Sequence, residues 1–158
     1  MIEFSELKDL AKSQIKGHIG ILFLLFLIGA VISIALTFIP IAGYIVNSFF
    51  VIPAFTWGFT RIYLDLSKGI NPEISNFFNS FSDLWTAVKI NFLRNLFILL
   101  WSFLFIIPGI IKAFSYSMAM FIALENKDIS ALEAIKRSEA MMNGYKMDLF
   151  LLYLSFVL

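Results

Sequence analysis

The sequence contains no cysteine among its 158 residues, and it contains only one histidine. A disulfide scaffold, a cysteine-based metal site and a thiol nucleophile are therefore excluded. Charge is also scarce, because Asp, Glu, Lys and Arg make up 15% of the chain, against about 25% in soluble domains. The formal net charge of +1 argues against nucleic acid as a partner, since phosphate recognition requires a strong basic excess.

Apolar residues take the place of the missing charge. They make up 60% of the chain, with 19 phenylalanines among them, and the mean hydropathy is +0.88. Between His18 and Arg61, 42 consecutive residues carry no formal charge. Because one membrane-spanning helix needs about 20 apolar residues, residues 19–66 are predicted to form a first hairpin of two spans, 19–39 and 44–66. Pro40 and Gly43 are the predicted turn residues, since Pro interrupts helical hydrogen bonding and Gly permits tight reversal.

A second, shorter hairpin is predicted over residues 92–125, with its turn at Pro108 and Gly109. Its first span, 92–107, contains only 13 uncharged residues after Arg94, which reach about 20 Å as a helix. A full crossing would require Arg94 and Lys112 to extend toward the two interfaces. The alternative is a re-entrant hairpin. A fifth apolar stretch covers residues 148–158.

The distribution of basic residues predicts the orientation. With the two proline turns on one side of the membrane, 11 of the 12 Lys and Arg residues lie on the other side, and only Lys112 lies near a turn. Because cytoplasmic loops carry the excess of Lys and Arg, the N-terminus and the long loops are predicted to be cytoplasmic. The expected location is the cytoplasmic membrane, crossed several times.

Three polar segments, 1–18, 72–90 and 130–144, have apolar residues at helical spacing. The third begins with a capping box, Ser130 and Glu133, and ends near Gly144. Such helices either pack on the bundle as connectors or lie at the inner leaflet. For the second case, the candidate lipid contacts are Lys8, Lys12, Lys16, Trp85, Lys89, Arg94, Lys136 and Arg137.

The sequence contains no recognisable catalytic, cofactor-binding or metal-binding motif, so no such site and no cofactor is expected. Arg61 and Asp65, four residues apart, are predicted to form a structural ion pair. Lys112 is the only ionisable residue close to hydrocarbon, and it is expected to reach the external interface. Hydrogen bonds between helices are expected for the polar residues of the second span, which are Asn47, Ser48, Thr56 and Thr60.

Weak internal repetition links the two hairpins with the end of the chain. LFLLFL at 22–27 recurs as LFILLW at 96–101 and as LFLLYL at 149–154, and Gly17 and Gly144 both stand five residues before their Leu-Phe pair. Extrapolation of this repeat predicts that the complete protein continues beyond Leu158, with a sixth span and a cytoplasmic C-terminus.

Several short motifs resemble DUF975, a family of bacterial membrane proteins of unknown function. They are PGII at 108–111, YSM at 116–118, SALEAIKRS at 130–138, MMNGYK at 141–146 and LFLLYLSF at 149–156. The resemblance implies a compact multi-span protein, distantly similar to the membrane domain of some glycerophosphodiester phosphodiesterases, with no catalytic residues to carry over. Similar sequences often have proline where this chain has Met120, which puts a kink in the fourth span in doubt.

The sequence therefore predicts an all-α, polytopic transmembrane bundle, built from Pro/Gly-turned hairpins with cytoplasmic amphipathic helices. The predicted function is non-enzymatic and acts through lateral interaction with the lipid bilayer, including anionic phospholipid, or with partner membrane proteins. The alternative is a small solute transporter or channel-like permease. Coupled carriers usually keep an ionisable residue within the bundle, and none is expected deep in this one.

Overall fold

A computed structural model describes residues 4–104 and 106–157. The regular secondary structure in these ranges is entirely helical. Four helical segments are long and apolar enough to cross a membrane: Ile19–Thr37, Ala42–Ser67, Ile74–Phe103 and Ile107–Glu125. The predicted all-α class, with several membrane-type helices, is confirmed. The chain divides into two compact units after Leu84.

The first unit contains two long helical segments and two shorter helices at its ends. Its elements are α1 (Phe4–Ile15), α2 (Ile19–Thr37), α3 (Ala42–Val46), a π-helical turn (Asn47–Val51), α4 (Ile52–Ser67), α5 (Ile74–Asn79) and a 3-10 turn (Ser80–Asp83). Pro40 lies between α2 and α3, and Gly43 is buried at the start of α3, where a Cβ atom would overlap the carbonyl oxygen of Leu36. Only glycine permits this close approach of the two chain segments.

Phe77 is the centre of the first unit's core. It is fully buried, and its ring centroid lies 5.4 Å from those of Phe55 and Phe59 in edge-to-face contacts. Gly58 makes room for it, because a Cβ there would collide with the Phe77 ring. The aliphatic side chains of this core are Leu25, Ile62 and Leu66. Burial of one such aromatic side chain stabilises a fold by about 1.5–3 kcal/mol.

Helix α2 contributes little else to that core. Only 6% of its apolar window is buried, and Phe23 and Phe26 are each 63% exposed. A helix that is apolar on every side is typical of a protein core or of a membrane span. Apart from the side that carries Ile21, Leu22 and Leu25, the surface of α2 is largely exposed, and its apolar character suits contact with lipid.

Within the described residues, the second unit begins inside α6 (Leu84–Leu104) and continues with α7 (Ile106–Ser115), α8 (Ala119–Glu125), α9 (Ala131–Met141) and α10 (Lys146–Val157). Helix α6 is continuous across the boundary predicted between residues 90 and 92. Pro108 and Gly109 do not form the predicted turn between two helices. Both residues lie inside α7. Proline is tolerated in the first helical turn because an N–H there would have no partner in the helix.

The fourth apolar segment is not one straight helix. It breaks at residues 116–118, between α7 and α8. The break lies before Met120 in the chain and forms without a proline. The fourth span is therefore kinked, although it has Met120 where similar sequences often have proline. Helix α8 then packs on α9, with Ala119, Ala123 and Ala134 nearly or fully buried. Small residues of this kind allow two helix backbones to approach closely.

Candidate functional site

Ser138 connects α9 to the break between α7 and α8. Its side chain is fully buried. Its hydroxyl donates to the carbonyl oxygen of Ser115 at 2.8 Å and accepts from the backbone N–H of Met118 at 3.1 Å. A helix break frees such backbone groups, and leaving one of them buried without a partner costs about 1–3 kcal/mol. Ser138 thereby supplies from α9 the hydrogen bonds that the broken helix has lost.

Ser138 is not among the site residues predicted from the sequence. The available signal was its position, since Ser138 follows Ala134 by four residues and therefore lies on the same face of α9 as the buried Ala134 and Ile135. A hydroxyl on a buried helix face needs a partner. The start of α9 does follow the prediction, because the Ser130 hydroxyl accepts a hydrogen bond from the Glu133 N–H at 3.2 Å.

Lys112 lies beside this break and is enclosed by protein groups. Its Nζ forms an ion pair with Glu139 Oε1. The same ammonium lies 4.8 Å from the ring centroid of Trp101 and 5.8 Å from that of Tyr116, distances at which the π face of an aromatic ring attracts a cation. The extension of Lys112 to the external interface stays a prediction, since an ion pair does not fix the depth of either residue in a membrane. Its charge is balanced by Glu139 of α9, a pairing across 27 residues that was not predicted.

Two ring contacts define how α6 and α7 run. Lys112 lies over Trp101, and Tyr116, four residues later and just after the end of α7, contacts Phe97 at a centroid distance of 6.1 Å. The contact partner moves back by four residues as the chain advances by four, so α6 and α7 are antiparallel. Gly109 fits against Ser102, where a Cβ atom would overlap the serine hydroxyl.

A polar pocket opens where α9 ends and α10 begins. Its volume is about 340 Å³, and it is lined by Lys136, Glu139, Ala140, Asn143 and Lys146. Gly144, which has a φ of +88°, gives the chain the left-handed turn that it needs between the two helices. The pocket is therefore adjacent to the ion pair of Lys112, since Glu139 belongs to both.

The eight predicted lipid contacts are distributed over both units. Lys8 and Lys12 are on α1, and Lys16 follows it, all in the first unit. The other five belong to the second unit. On α6, Trp85 is 62% exposed with Lys89 Nζ 5.8 Å from its ring centroid, and Arg94 is partly buried, its Nε without a hydrogen bond.

The two basic residues on α9 differ although they are neighbours in the sequence. Lys136 lines the pocket. The Arg137 guanidinium instead pairs with Glu133 at 3.1 Å, on an exposed face of the helix. The structure therefore separates Lys136 from Arg137 and brings Lys136 together with Lys146, a residue that was not predicted as a contact.

The polar residues of the first hairpin give mixed results. The predicted ion pair is confirmed, with Arg61 Nε 3.2 Å from Asp65 Oδ1. Asn47 accepts a hydrogen bond from the Ser33 hydroxyl at 3.0 Å, which joins two helices as predicted. The prediction is wrong for Thr56 and Thr60, whose hydroxyls donate to carbonyl oxygens one turn earlier in their own helix.

No group of three or more metal-ligating side chains occurs within residues 4–104 and 106–157. The four long apolar helices and the exposed apolar surface define the class, which is that of a helical membrane protein.

Comparison with protein families assigns the chain within this class. The family DUF975, described as a protein of unknown function, matches residues 1–115 and 105–157. The two matches cover the sequence, and the chain belongs to this family. Neither a curated protein nor a solved structure matches the chain. The distant similarity to a glycerophosphodiester phosphodiesterase membrane domain finds no support in these comparisons.

Proposed function

We propose that the protein is a non-enzymatic component of the cytoplasmic membrane that acts through lateral interaction with lipids or with partner membrane proteins. The exposed apolar surface of α2 is the observation that supports this most. Phe23, Phe26 and Ile34 on that helix are largely exposed, and an exposed apolar surface of this extent is typical of a membrane or protein interface.

We infer that the N-terminus and the long loops face the cytoplasm, as the basic residues predict. Two of the three amphipathic segments support the role of packed connectors. Phe77 lies in the core of the first unit, and Ile135 of α9 is buried against its own unit. Their lysines remain available to the inner leaflet, where each adds about 1 kcal/mol of attraction to anionic lipid.

The contact between Lys112 and Glu139 favours the re-entrant form of the second hairpin. An ion pair places both residues at the same depth in the membrane. Helix α9, which carries Glu139, also carries three other charged residues, namely Glu133, Lys136 and Arg137. Such a helix belongs at the interface and not in hydrocarbon. From Arg94 to the end of α6 the helix rises about 15 Å, which is half of a hydrocarbon core about 30 Å thick.

The natural lack of cysteine permits a direct test of this topology. Single cysteines replace Phe38 and Ser82, which are exposed between α2 and α3 and before α6, and Ile107, which is exposed at the start of α7. Phe38→Cys should react with a membrane-impermeant maleimide from outside, and Ser82→Cys only after the cytoplasmic side is opened. Ile107→Cys should react from neither side. Labelling of Ile107→Cys from outside would establish a full crossing, and reversed labelling of the other two would overturn the orientation.

A transporter or permease remains the second candidate, supported by the first hairpin. The Ser33–Asn47 hydrogen bond and the π-helical turn interrupt an apolar region, and π-helical turns are frequent at functional sites. A pocket of about 210 Å³ lies beside them, with Thr37 and Tyr44 in its lining. These groups are polar but uncharged, which suits a small neutral solute.

Two measurements separate the candidates. Native mass spectrometry of the purified protein should detect retained phospholipid or a partner protein if the first proposal is correct. Flux of small neutral solutes into liposomes should then equal that of empty liposomes. Flux above that background, abolished by Asn47→Leu but not by Lys127→Ala, would support the permease instead.

A further inference from the structure

The pocket between α9 and α10 has a positively charged lining. Two of its five lining residues are the lysines Lys136 and Lys146, and Asn143 adds an amide that can donate hydrogen bonds. The single carboxylate in the lining belongs to Glu139. Whether Lys136 and Lys146 are left unpaired, and so able to bind an anion, therefore depends on which lysine pairs with that carboxylate.

Glu139 is paired with Lys112, outside the pocket. Lys136 is three residues before Glu139 on α9, close enough for a helical ion pair. Within the part of the chain that the structure describes, however, neither Lys136 nor Lys146 forms an ion pair with a carboxylate, whereas Lys112 does. Arg137 takes the other carboxylate of α9, Glu133. Neither ammonium group of the pocket is therefore ion-paired among the described residues, although the Glu139 carboxylate belongs to the same lining.

Exposed apolar side chains adjoin the lining residues along the chain. Met141 follows Ala140 directly, and Tyr145 and Met147 flank Lys146. Beyond Lys146, helix α10 carries the exposed side chains of Phe150 and Leu151. An anion that also carries hydrocarbon would suit both the ammonium groups and these apolar side chains, whereas a water-soluble anion would suit only the ammonium groups.

We propose that this pocket binds the phosphate of an anionic phospholipid, with Lys136 and Lys146 as the phosphate ligands. Its volume of about 340 Å³ falls in the range of small-molecule sites, about 300–1,000 Å³. Lys112 is a positioning residue, because it holds the Glu139 carboxylate away from the two ligand lysines. This inference rests on the proposed function and specifies the lipid and the site.

The test is a titration of the full-length protein in detergent with phosphatidylglycerol, followed by native mass spectrometry, with phosphatidylcholine as the zwitterionic reference. Lys136→Ala and Lys146→Ala should each weaken phosphatidylglycerol binding about fivefold. Lys127→Ala and Arg137→Ala remove the same charge elsewhere in the second unit and should change it less than twofold. Equal losses in all four variants, or no loss in the first two, would overturn the proposed site.

A second arm distinguishes a lipid from a soluble phosphate ester. Glycerol 3-phosphate should fail to displace phosphatidylglycerol at a hundredfold excess. Displacement at equal concentrations would identify a soluble phosphate ester as the ligand and overturn the proposal. Retention of both lipids without dependence on the lysines would overturn this site and leave the proposed function intact, whereas retention of no lipid and no partner would refute the proposed function itself.

The role of Lys112 requires its own variant. Lys112→Met should free Glu139 to neutralise Lys136 or Lys146 and should weaken phosphatidylglycerol binding about fivefold, although Lys112 does not line the pocket. The double variant Lys112→Met/Glu139→Gln should restore binding to within twofold of the unsubstituted protein. A purely structural role for Lys112 predicts no rescue, and that result would overturn its assignment as a positioning residue.

Discussion

The first and fourth apolar segments have the same length and opposite environments. Ile19–Thr37 and Ile107–Glu125 each contain 19 residues, yet 6% of the first window is buried by protein and 44% of the fourth. In the first segment, most apolar side chains are exposed. In the fourth, the second half is α8, with Met120, Ile122 and Leu124 among its buried residues. Hydropathy therefore identifies both segments as membrane-type helices but does not reveal which of them is covered by protein.

The polar residues explain the difference. In the middle of α2, Ser33 forms a hydrogen bond to the next helix, and the remaining residues there are apolar. The fourth segment carries a helix break and the charge of Lys112, and both are satisfied from α9. A segment with unsatisfied backbone and an ammonium group requires a protein neighbour, because hydrocarbon offers neither hydrogen bonds nor counter-charge.

The strongest way to separate the two segments is to enlarge an alanine in each. Ala119 on α8 is fully buried, whereas Ala35 on α2 is exposed. Ala119→Leu should lower the free energy of unfolding in lipid bicelles by about 3 kcal/mol, because overpacking strains a filled core. Ala35→Leu should change it by less than about 0.5 kcal/mol. Equal effects of the two substitutions would refute the contrast between them.

Removal of the Ser138 hydroxyl tests how the break is satisfied. Ser138→Ala should cost about 2 kcal/mol of unfolding free energy, because it leaves the Met118 N–H and the Ser115 carbonyl without this partner. Ser102→Ala is the matched control, since the Ser102 hydroxyl donates only to Ile98 in its own helix. Hydrogen exchange at residues 116–119 should accelerate in the first variant alone. An unchanged rate would indicate that the break does not depend on α9.

A smaller effect is expected from the ion pair across α7 and α9. A double-mutant cycle with Lys112→Met and Glu139→Gln should give a coupling energy of about 1 kcal/mol, because the ammonium is also held by two rings. The same cycle on Arg137 and Glu133, an exposed pair four residues apart, should give about 0.3–0.5 kcal/mol. A larger coupling in the exposed pair would contradict the structure's distinction between them.

Local features of the fold were predictable where sequence-adjacent residues decide them. The start of α2, the Arg61–Asp65 pair and the Ser130 cap all depend on residues within one or two helical turns. The end of α6 was not predictable from Pro108, because proline fits the first turn of α7 and the close contact of Gly109 with Ser102 depends on tertiary packing.

The candidate site was predictable only in part. Lys136 was identified from its charge. Lys146 was not, because it reaches the same pocket as Lys136 only through the turn at Gly144 in the folded chain. Glu139 pairs with Lys112, 27 residues earlier in the chain, because α9 packs on α7 and α8. A helical spacing rule would instead have paired Glu139 with Lys136.

Photolabelling of the unsubstituted protein from within the bilayer tests the contrast between the two segments most directly. A phospholipid with a diazirine in its acyl chain is activated in proteoliposomes, and the labelled residues are located by mass spectrometry. Phe23, Phe26 and Ile34 of α2 should carry label, whereas residues 119–124 of α8 should carry none above background. Comparable labelling of the two segments, or an unlabelled α2, would contradict the assignment of α2 to lipid and of α8 to a protein interior.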